Sequence, residues 1–243
     1  MTDWRKGGRV LRSAGIVAGF LSVLPPFRLS AQVGHDPAHS PYRDIYRAAG
    51  PVVFGGYLTG DRGLAGVGPS NARTVGLRYE VPLGRPTIMQ LSAAYLRGDR
   101  FIVNPEVNAD APTRRTGPVD TDILLTEFAL QLRLTGGKTW HGLAPYIGAG
   151  AGLAFDVRSP GDTTLSGYEF GKKLTFAGNA GVRWHAGRKL TVQLDAHALL
   201  WRLRYPSSFK NAAPDGSRVV PSDQPLTEWT VHPWISLGIG WTF

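Results

Sequence analysis

The sequence predicts an all-β fold, an eight-stranded antiparallel up-and-down transmembrane β-barrel, and three observations carry that expectation. Apolar and polar residues alternate with period two in eight successive runs from Pro51 onward, the pattern of strands with one apolar and one polar face. The connections between runs are short and long in turn. No internal stretch of ~18 apolar residues is present. Yet 42% of the 243 residues are hydrophobic and the mean hydropathy is −0.12, as expected when strands rather than helices cross a bilayer.

The first 31 residues stand outside the fold. Arg5, Lys6, Arg9 and Arg12 form a basic segment, Ala14 to Leu24 an apolar core, and Pro25 and Pro26 break it before the small residue Ala31. This is the pattern of a secretory signal peptide, residues 1–31. Its removal lowers the formal charge from +9 to +5, twenty-two cations against seventeen anions. For an exported chain of this charge, phosphorylated lipid is the expected partner and nucleic acid is not. Residues 32–50 lack an apolar period and read as a mobile leader. Within it His35, Asp36 and His39 have no framework that would make them a metal site. With Cys 0, disulfides, thiolate metal sites and a cysteine nucleophile are excluded. The barrel is expected over residues 51–243, without metal or cofactor.

The first expected strand is Val52 to Thr59, and the second, Thr74 to Leu83, sets Val75, Leu77, Tyr79 and Val81 against Gly76, Arg78 and Glu80. The third runs from Thr87 to about Arg97, with Met89, Leu91, Ala93 and Tyr95 in the apolar phase. The fourth, Ile123 to Thr135, sets Leu124, Phe128, Leu130 and Leu132 against Glu127, Gln131 and Arg133. The fifth, Leu143 to Val157, sets Ile147, Leu153 and Phe155 against Tyr146, Gly148, Gly150 and Gly152. The sixth, Tyr168 to Trp184, sets Phe170, Leu174, Phe176 and Trp184 against Glu169, Lys173, Asn179 and Arg183. The seventh, Leu190 to Arg204, sets Val192, Leu194 and Ala196 against Gln193, Asp195 and His197. The eighth sets Val231, Ile235, Leu237, Ile239, Trp241 and Phe243 against His232, Ser236, Gly238 and Gly240. Pro233, which has no N–H to donate, is expected at a bulge or at the upper limit of this strand.

Short turns at Gly84, at Gly136 to Lys138 and at Ala186 to Arg188 alternate with longer polar loops, such as Asn104 to Asp120 and Ser207 to Gln224. Short turns at one end and long loops at the other make a meander with both termini at the short-turn end. The polar phase carries Arg78, Glu80, Glu127, Arg133, Glu169, Lys173, Arg183 and Asp195, four cations and four anions that read as a polar network inside the lumen. The apolar phase is nearly free of charge. A soluble lipocalin-like barrel would show the opposite contents, apolar within and charged without. Aromatic residues near strand ends, among them Tyr79, Tyr95, Tyr168, Phe170, Trp184, Trp229 and Trp241, fit two interfacial girdles.

Two segments carry a resemblance. Pro145-Tyr146-Ile147-Gly148-Ala149-Gly150-Ala151-Gly152 and the terminal Leu237-Gly238-Ile239-Gly240-Trp241-Thr242-Phe243 resemble strands of small bacterial outer-membrane β-barrels of the OmpA, OmpX and OmpW kind. The resemblance covers Pro51 to Phe243. It implies the outer membrane of a Gram-negative-type bacterium, reached after signal-peptide cleavage, and a monomer. It also implies that the outer-membrane insertion machinery reads Ile239, Trp241 and Phe243 as a C-terminal assembly signal.

Function is less legible than fold. The expected role is structural, in envelope interaction, or in passage of a small solute, with a plugged lumen, since eight strands leave just enough room for side chains. One alternative is an outer-membrane lipid-A-modifying enzyme of the deacylase or acyltransferase kind. Asp195 and His197 share the lumen phase, but a His-x-Ser pair is missing at His197 and at His232. A soluble lipocalin-like binder is the other. On the lipid-facing phase, Arg73, Arg97, Lys172, Arg202 and Arg204 gather at the loop-side strand ends. There they are expected to meet lipid headgroups, lipopolysaccharide phosphates in particular.

Overall fold

The computed structural model describes residues 40–45, 49–158, 166–187 and 189–241. Pro41–Phe243 forms one compact unit and Met1–Ser40 another, of which only Ser40 is described. The expected signal peptide, His35, Asp36, His39 and the terminal Phe243 therefore lie outside the described residues.

The described residues form ten strands: β1 (Tyr42–Asp44), β2 (Gly50–Leu58), β3 (Ser70–Pro82), β4 (Thr87–Val103), β5 (Arg115–Arg133), β6 (Lys138–Trp140), β7 (Leu143–Arg158), β8 (Lys172–His185), β9 (Leu190–Arg204) and β10 (Thr227–Trp241). Among the described residues two short 3-10 turns, Pro112–Arg114 and Ser207–Lys210, sit in the loops. Apart from β1 and β6, the strands pair antiparallel in chain order, and β10 returns to β2. The eight-stranded barrel is closed, so no long edge strand is left with unpaired backbone groups.

Closure fixes a stagger. Stepping across the ladders from Val52 through Arg78, Ser92, Glu127, Gly152, Thr175 and Trp201 arrives at Thr230. Val52 itself pairs with Gly240, ten residues along β10. Strands this staggered are tilted to the barrel axis. Residues at one height in the lumen are therefore not ladder partners.

The expected strands match β2, β3, β4, β5, β7, β8, β9 and β10, with informative differences at the ends. β4 and β5 run on past the expected limits, pairing as far as Val103 and Arg115. In this extension Arg100, Ile102 and Val103 of β4 are buried while residues 115–118 of β5 are exposed, so the two strands do not share the in–out alternation of the barrel wall. The leader, expected to be mobile, contributes β1, which adds to β6 in the turn between β5 and β7. No bulge forms at Pro233. β10 continues past it along β9 to Thr227, while the β2 ladder stops at the neighbouring Trp234–Leu58 pair. The missing N–H thus coincides with the end of pairing on one side only.

The outer face follows the alternation. Leu77, Leu130, Ile147, Leu174, Leu194, Ile235 and Ile239 all point away from the lumen and are exposed, Ile235 at 62%. Tyr79, Tyr95, Trp184, Trp229 and Trp241 are exposed as girdle residues should be. Tyr168 and Phe170 are not. Both are buried, because the chain joins β8 only at Lys172 and the preceding segment folds inward over the barrel mouth.

Candidate functional site

Inside the barrel, the short-turn half is polar and the loop half apolar. In the polar half, Arg78 pairs with Asp195 across the lumen and donates to Ser236 Oγ at 2.8 Å. Its guanidinium lies 4.1 Å from the Phe54 ring centre. Nearer the short-turn end, Arg183 donates to Glu80 at 2.8 Å and to the Gln131 side-chain oxygen, and it stacks at 3.9 Å on Tyr146. Gln193 donates to Glu80 at 2.9 Å and Gln131 to Gln90 at 2.9 Å. These contacts join β3, β4, β5, β8 and β9 in one layer. Buried charge is tolerated here because Arg78 faces Asp195 and Arg183 faces Glu80 as opposite charges.

The eight residues expected to form a lumen network divide. Arg78, Glu80, Arg183 and Asp195 make two cross-lumen pairs. Arg133 is buried in the lumen as expected. Glu127 is buried too, but neither of its oxygens has a partner among the described residues. Lys173 is half-buried near the loop side, with its ammonium 5.6 Å from the Phe170 ring centre rather than beside a carboxylate. Glu169 is a correction. It precedes β8, outside the barrel wall, and is exposed; an alternation extended past the true strand start assigned it inward.

The loop half holds an apolar cap that the expected alternation does not contain. Leu58, Leu96, Val103, Tyr168, Phe170, Leu199, Trp201, Leu203, Tyr205 and Phe209 form one buried cluster. Phe170 meets Trp201 edge-on at 5.4 Å, and Trp201 lies 4.0 Å from the His232 ring. Polar clamps hold the loops down over it. Glu228 accepts from the Tyr205 hydroxyl and, at 2.6 Å, from the Leu64 N–H, and Asp215 accepts from the Ala109 N–H at 2.8 Å. The Ser217 hydroxyl, then the Ala109 and Ser217 amides, hold the Asp215 carboxyl down to about 2. This clamp is complete above the ordinary aspartate range and is lost only as pH falls toward that value.

Asp195 and His197, the one acid–base pair visible in the sequence, stand 4.0 Å apart with almost no exposure. Arg78 occupies Asp195, and His197 stacks on Trp234 at 4.7 Å. The arrangement packs the lumen and presents no face to a lipid substrate.

On the outside, Arg73, Arg97, Lys172, Arg202 and Arg204 are all exposed, as expected. Arg73 lies directly opposite Arg97 in the β3–β4 ladder. Arg97 is 3.2 Å from Asp120, and Arg202 donates to the Thr227 hydroxyl at 2.7 Å. The side chains of Arg73 and Arg204 have no hydrogen bond or ion pair among the described residues. The β8–β9 ladder stops at Thr175–Trp201, so Arg202 and Arg204 flank the last stretch of β9 above that point.

Comparison with known proteins bears on the barrel alone. No family model matches the chain, and no curated protein does. Among solved structures, the chain is similar to the outer membrane protein OprG from Pseudomonas aeruginosa, at 15% identity and TM-score 0.47, over 82% of this chain and 98% of that one. It is similar to Neisserial surface protein A at 10% identity and TM-score 0.45, over 84% and 98%. The attachment invasion locus protein Ail of Yersinia pestis is similar at 12% identity and TM-score 0.37, over 82% and 100%.

Of the residues expected to form a C-terminal assembly signal, Ile239 and Trp241 are exposed on the outer face of β10. Three residues that matter to the lumen were not singled out by the sequence. Gln90, Ser236 and Trp234 join its contacts, the last donating to the Thr74 hydroxyl at 3.0 Å. Gln90 and Ser236 stand in the polar phase and were legible as lining. Trp234 is an aromatic in that same phase, which alternation alone reads as a mismatch.

Proposed function

We infer that the protein is an integral outer-membrane β-barrel with a structural and envelope-interaction role. The observation that carries this reading is the outer face. Large apolar side chains on all eight barrel strands stand exposed in a continuous belt, while charges midway along the strands, such as Arg78, Glu127 and Asp195, turn inward. In water such a belt would drive aggregation; against hydrocarbon it is at its lowest free energy. The apolar cap favours this role over passage of a small solute, because it closes the loop end of the lumen with side chains rather than water. Expressed with its own signal peptide, the protein should be recovered in the outer-membrane fraction and released only by detergent. Recovery in the soluble periplasmic fraction without detergent would overturn the reading in favour of a soluble binder.

The partner in this reading is anionic lipid. Arg73, Arg97, Lys172, Arg202 and Arg204 ring the loop-side edge of the belt, where a lipid-facing cation is nearly free of the penalty it has at the midplane. Arg202 and Arg204 are two residues apart on one strand, so both project outward. Their guanidinium groups match lipopolysaccharide phosphates through charge-assisted hydrogen bonds. Replacing both with Gln should reduce the lipopolysaccharide that copurifies and lower thermal stability in lipopolysaccharide-containing membranes only. An equal loss in plain phosphatidylcholine, or no loss in either, would show that the cations form a solvated rim.

A further inference from the structure

At the loop end, two neighbouring strands of the barrel wall part. The β8–β9 ladder has its last rung at Thr175–Trp201. Yet β8 runs on to Lys172 along β7, and β9 runs on to Arg204 along β10. The rungs that would follow, Leu174–Arg202, Lys173–Leu203 and Lys172–Arg204, do not form. At no other barrel ladder of the described residues do both strands outlast their shared pairing at the loop end. Backbone directions follow from hydrogen bonds at the strand ends. The Ala186 N–H donates to the Leu190 carbonyl, and the Tyr205 N–H to the Leu226 carbonyl. Successive residues of a strand address opposite neighbours, so even-numbered residues of β8 and of β9 address each other. Lys172, Leu174, Arg202 and Arg204 therefore aim backbone groups into a seam where the ladder has ended. Unpaired backbone groups are not left against hydrocarbon, so a polar partner belongs there.

The side chains decide its charge. Lys172, Arg202 and Arg204 are exposed on the outer face, and Lys173 stands half-buried behind them, its ammonium beside the Phe170 ring. Lys173 and Arg204 are near enough to repel each other. None of the four has an ion pair among the described residues. Glu228, on the adjoining stretch of β10, is engaged by the Tyr205 hydroxyl and the Leu64 N–H. Arg97, by contrast, has Asp120 at 3.2 Å and Asp122 at 4.0 Å. The seam is thus a concentration of positive charge without a carboxylate. Arg202 and Arg204 stand only ~7 Å apart along one strand, and Lys172 lies across the seam at the height of Arg204. Side chains of this length converge on a single anion.

The surroundings decide what carries that anion. The seam gives sideways onto Leu174, Phe176 and Trp229, all exposed on the outer face. Phe176 on β8 and Trp229 on β10 meet over β9, ring centres 5.9 Å apart. A phosphate free in water gains nothing from this apolar shelf, whereas the sugar and acyl parts of a lipid rest on it, and tryptophan favours headgroup depth. Building on the reading that this edge of the belt meets anionic lipid, we propose that the seam between β8 and β9 is a saturable site for one phosphate-bearing lipid of the outer leaflet. Lys172, Lys173, Arg202 and Arg204 hold its phosphate through charge-assisted hydrogen bonds, above the Phe176–Trp229 shelf.

The full barrel, refolded in an uncharged detergent, is titrated with diphosphoryl lipid A and read by native mass spectrometry, which counts lipids per barrel. The wild type should saturate at one tightly held lipid. Lys173→Gln, whose side chain lies behind the outer face, and Arg204→Gln should each weaken that binding by about tenfold, the loss of one hydrogen bond to a charged group. Arg73→Gln, outside the seam, should leave it unchanged. Lipid A stripped of both phosphates should not bind, and inorganic phosphate at equal concentration should not displace the bound lipid. Equal weakening by Arg73→Gln and Arg204→Gln, or undiminished binding in Lys173→Gln, overturns the seam site while leaving the wider rim of lipid-binding cations standing. A wild type that binds no lipid A overturns both. Displacement by inorganic phosphate overturns the lipid as occupant. Should Lys173→Gln not refold, the comparison of Arg204→Gln with Arg73→Gln decides alone.

Discussion

Replacing Arg78 with Ala should destabilise the barrel by ~3–5 kcal/mol, the range for breaking a buried ion pair by removing one partner. The guanidinium is nearly inaccessible, pairs with Asp195, donates to Ser236 and lies on the Phe54 ring. Its loss strands Asp195 and leaves Glu127 on the same level without any cation nearby. The double variant Arg78→Ala, Asp195→Ala should recover part of the loss, because the stranded anion is gone. A double-mutant cycle on urea unfolding from lipid vesicles measures the coupling, which contacting buried charges should place at ~1 kcal/mol or more. Additive single effects would show that the pair contributes no mutual stabilisation.

Trp201→Ala should cost about as much, ~3–5 kcal/mol, by opening a cavity under the loops. Trp201 has no exposed surface, meets Phe170 edge-on and stacks near His232. It also stands at the last rung of the β8–β9 ladder, so the cap and the wall weaken together. Protease sensitivity should therefore rise first in the loop over Ser207 to Leu226, before global unfolding. A loss below ~1 kcal/mol, with loop cleavage unchanged, would mean that the cap is loosely packed and that other side chains fill it.

The two expectations draw on different layers of information. The alternation of Val75, Leu77 and Tyr79 with Gly76, Arg78 and Glu80 was enough to find a strand, its outer side and its lumen side. Repeated eight times with short and long connections, it was enough for the meander and for the outward position of Arg73, Arg97, Lys172, Arg202 and Arg204. Alternation fails where both phases are apolar. At Leu199-Leu200-Trp201 the inward and outward residues are alike, so nothing local marks Leu199 and Trp201 as the core of a cap.

The sequence by itself determined the period of the backbone, because a strand turns successive side chains to opposite faces and the solvent on each face selects them. It thereby determined the strand number and the face on which each charge would lie. Only the tertiary structure decided which charges meet. The ten-residue stagger brings Arg78 to Asp195 and Arg183 to Glu80, partners 117 and 103 residues apart, and it leaves Glu127 facing glycine. The same closure draws Tyr168 and Phe170 over the mouth and sets Glu169 outside. Pairing across a lumen depends on height along tilted strands, and height is fixed only when the last strand finds the first.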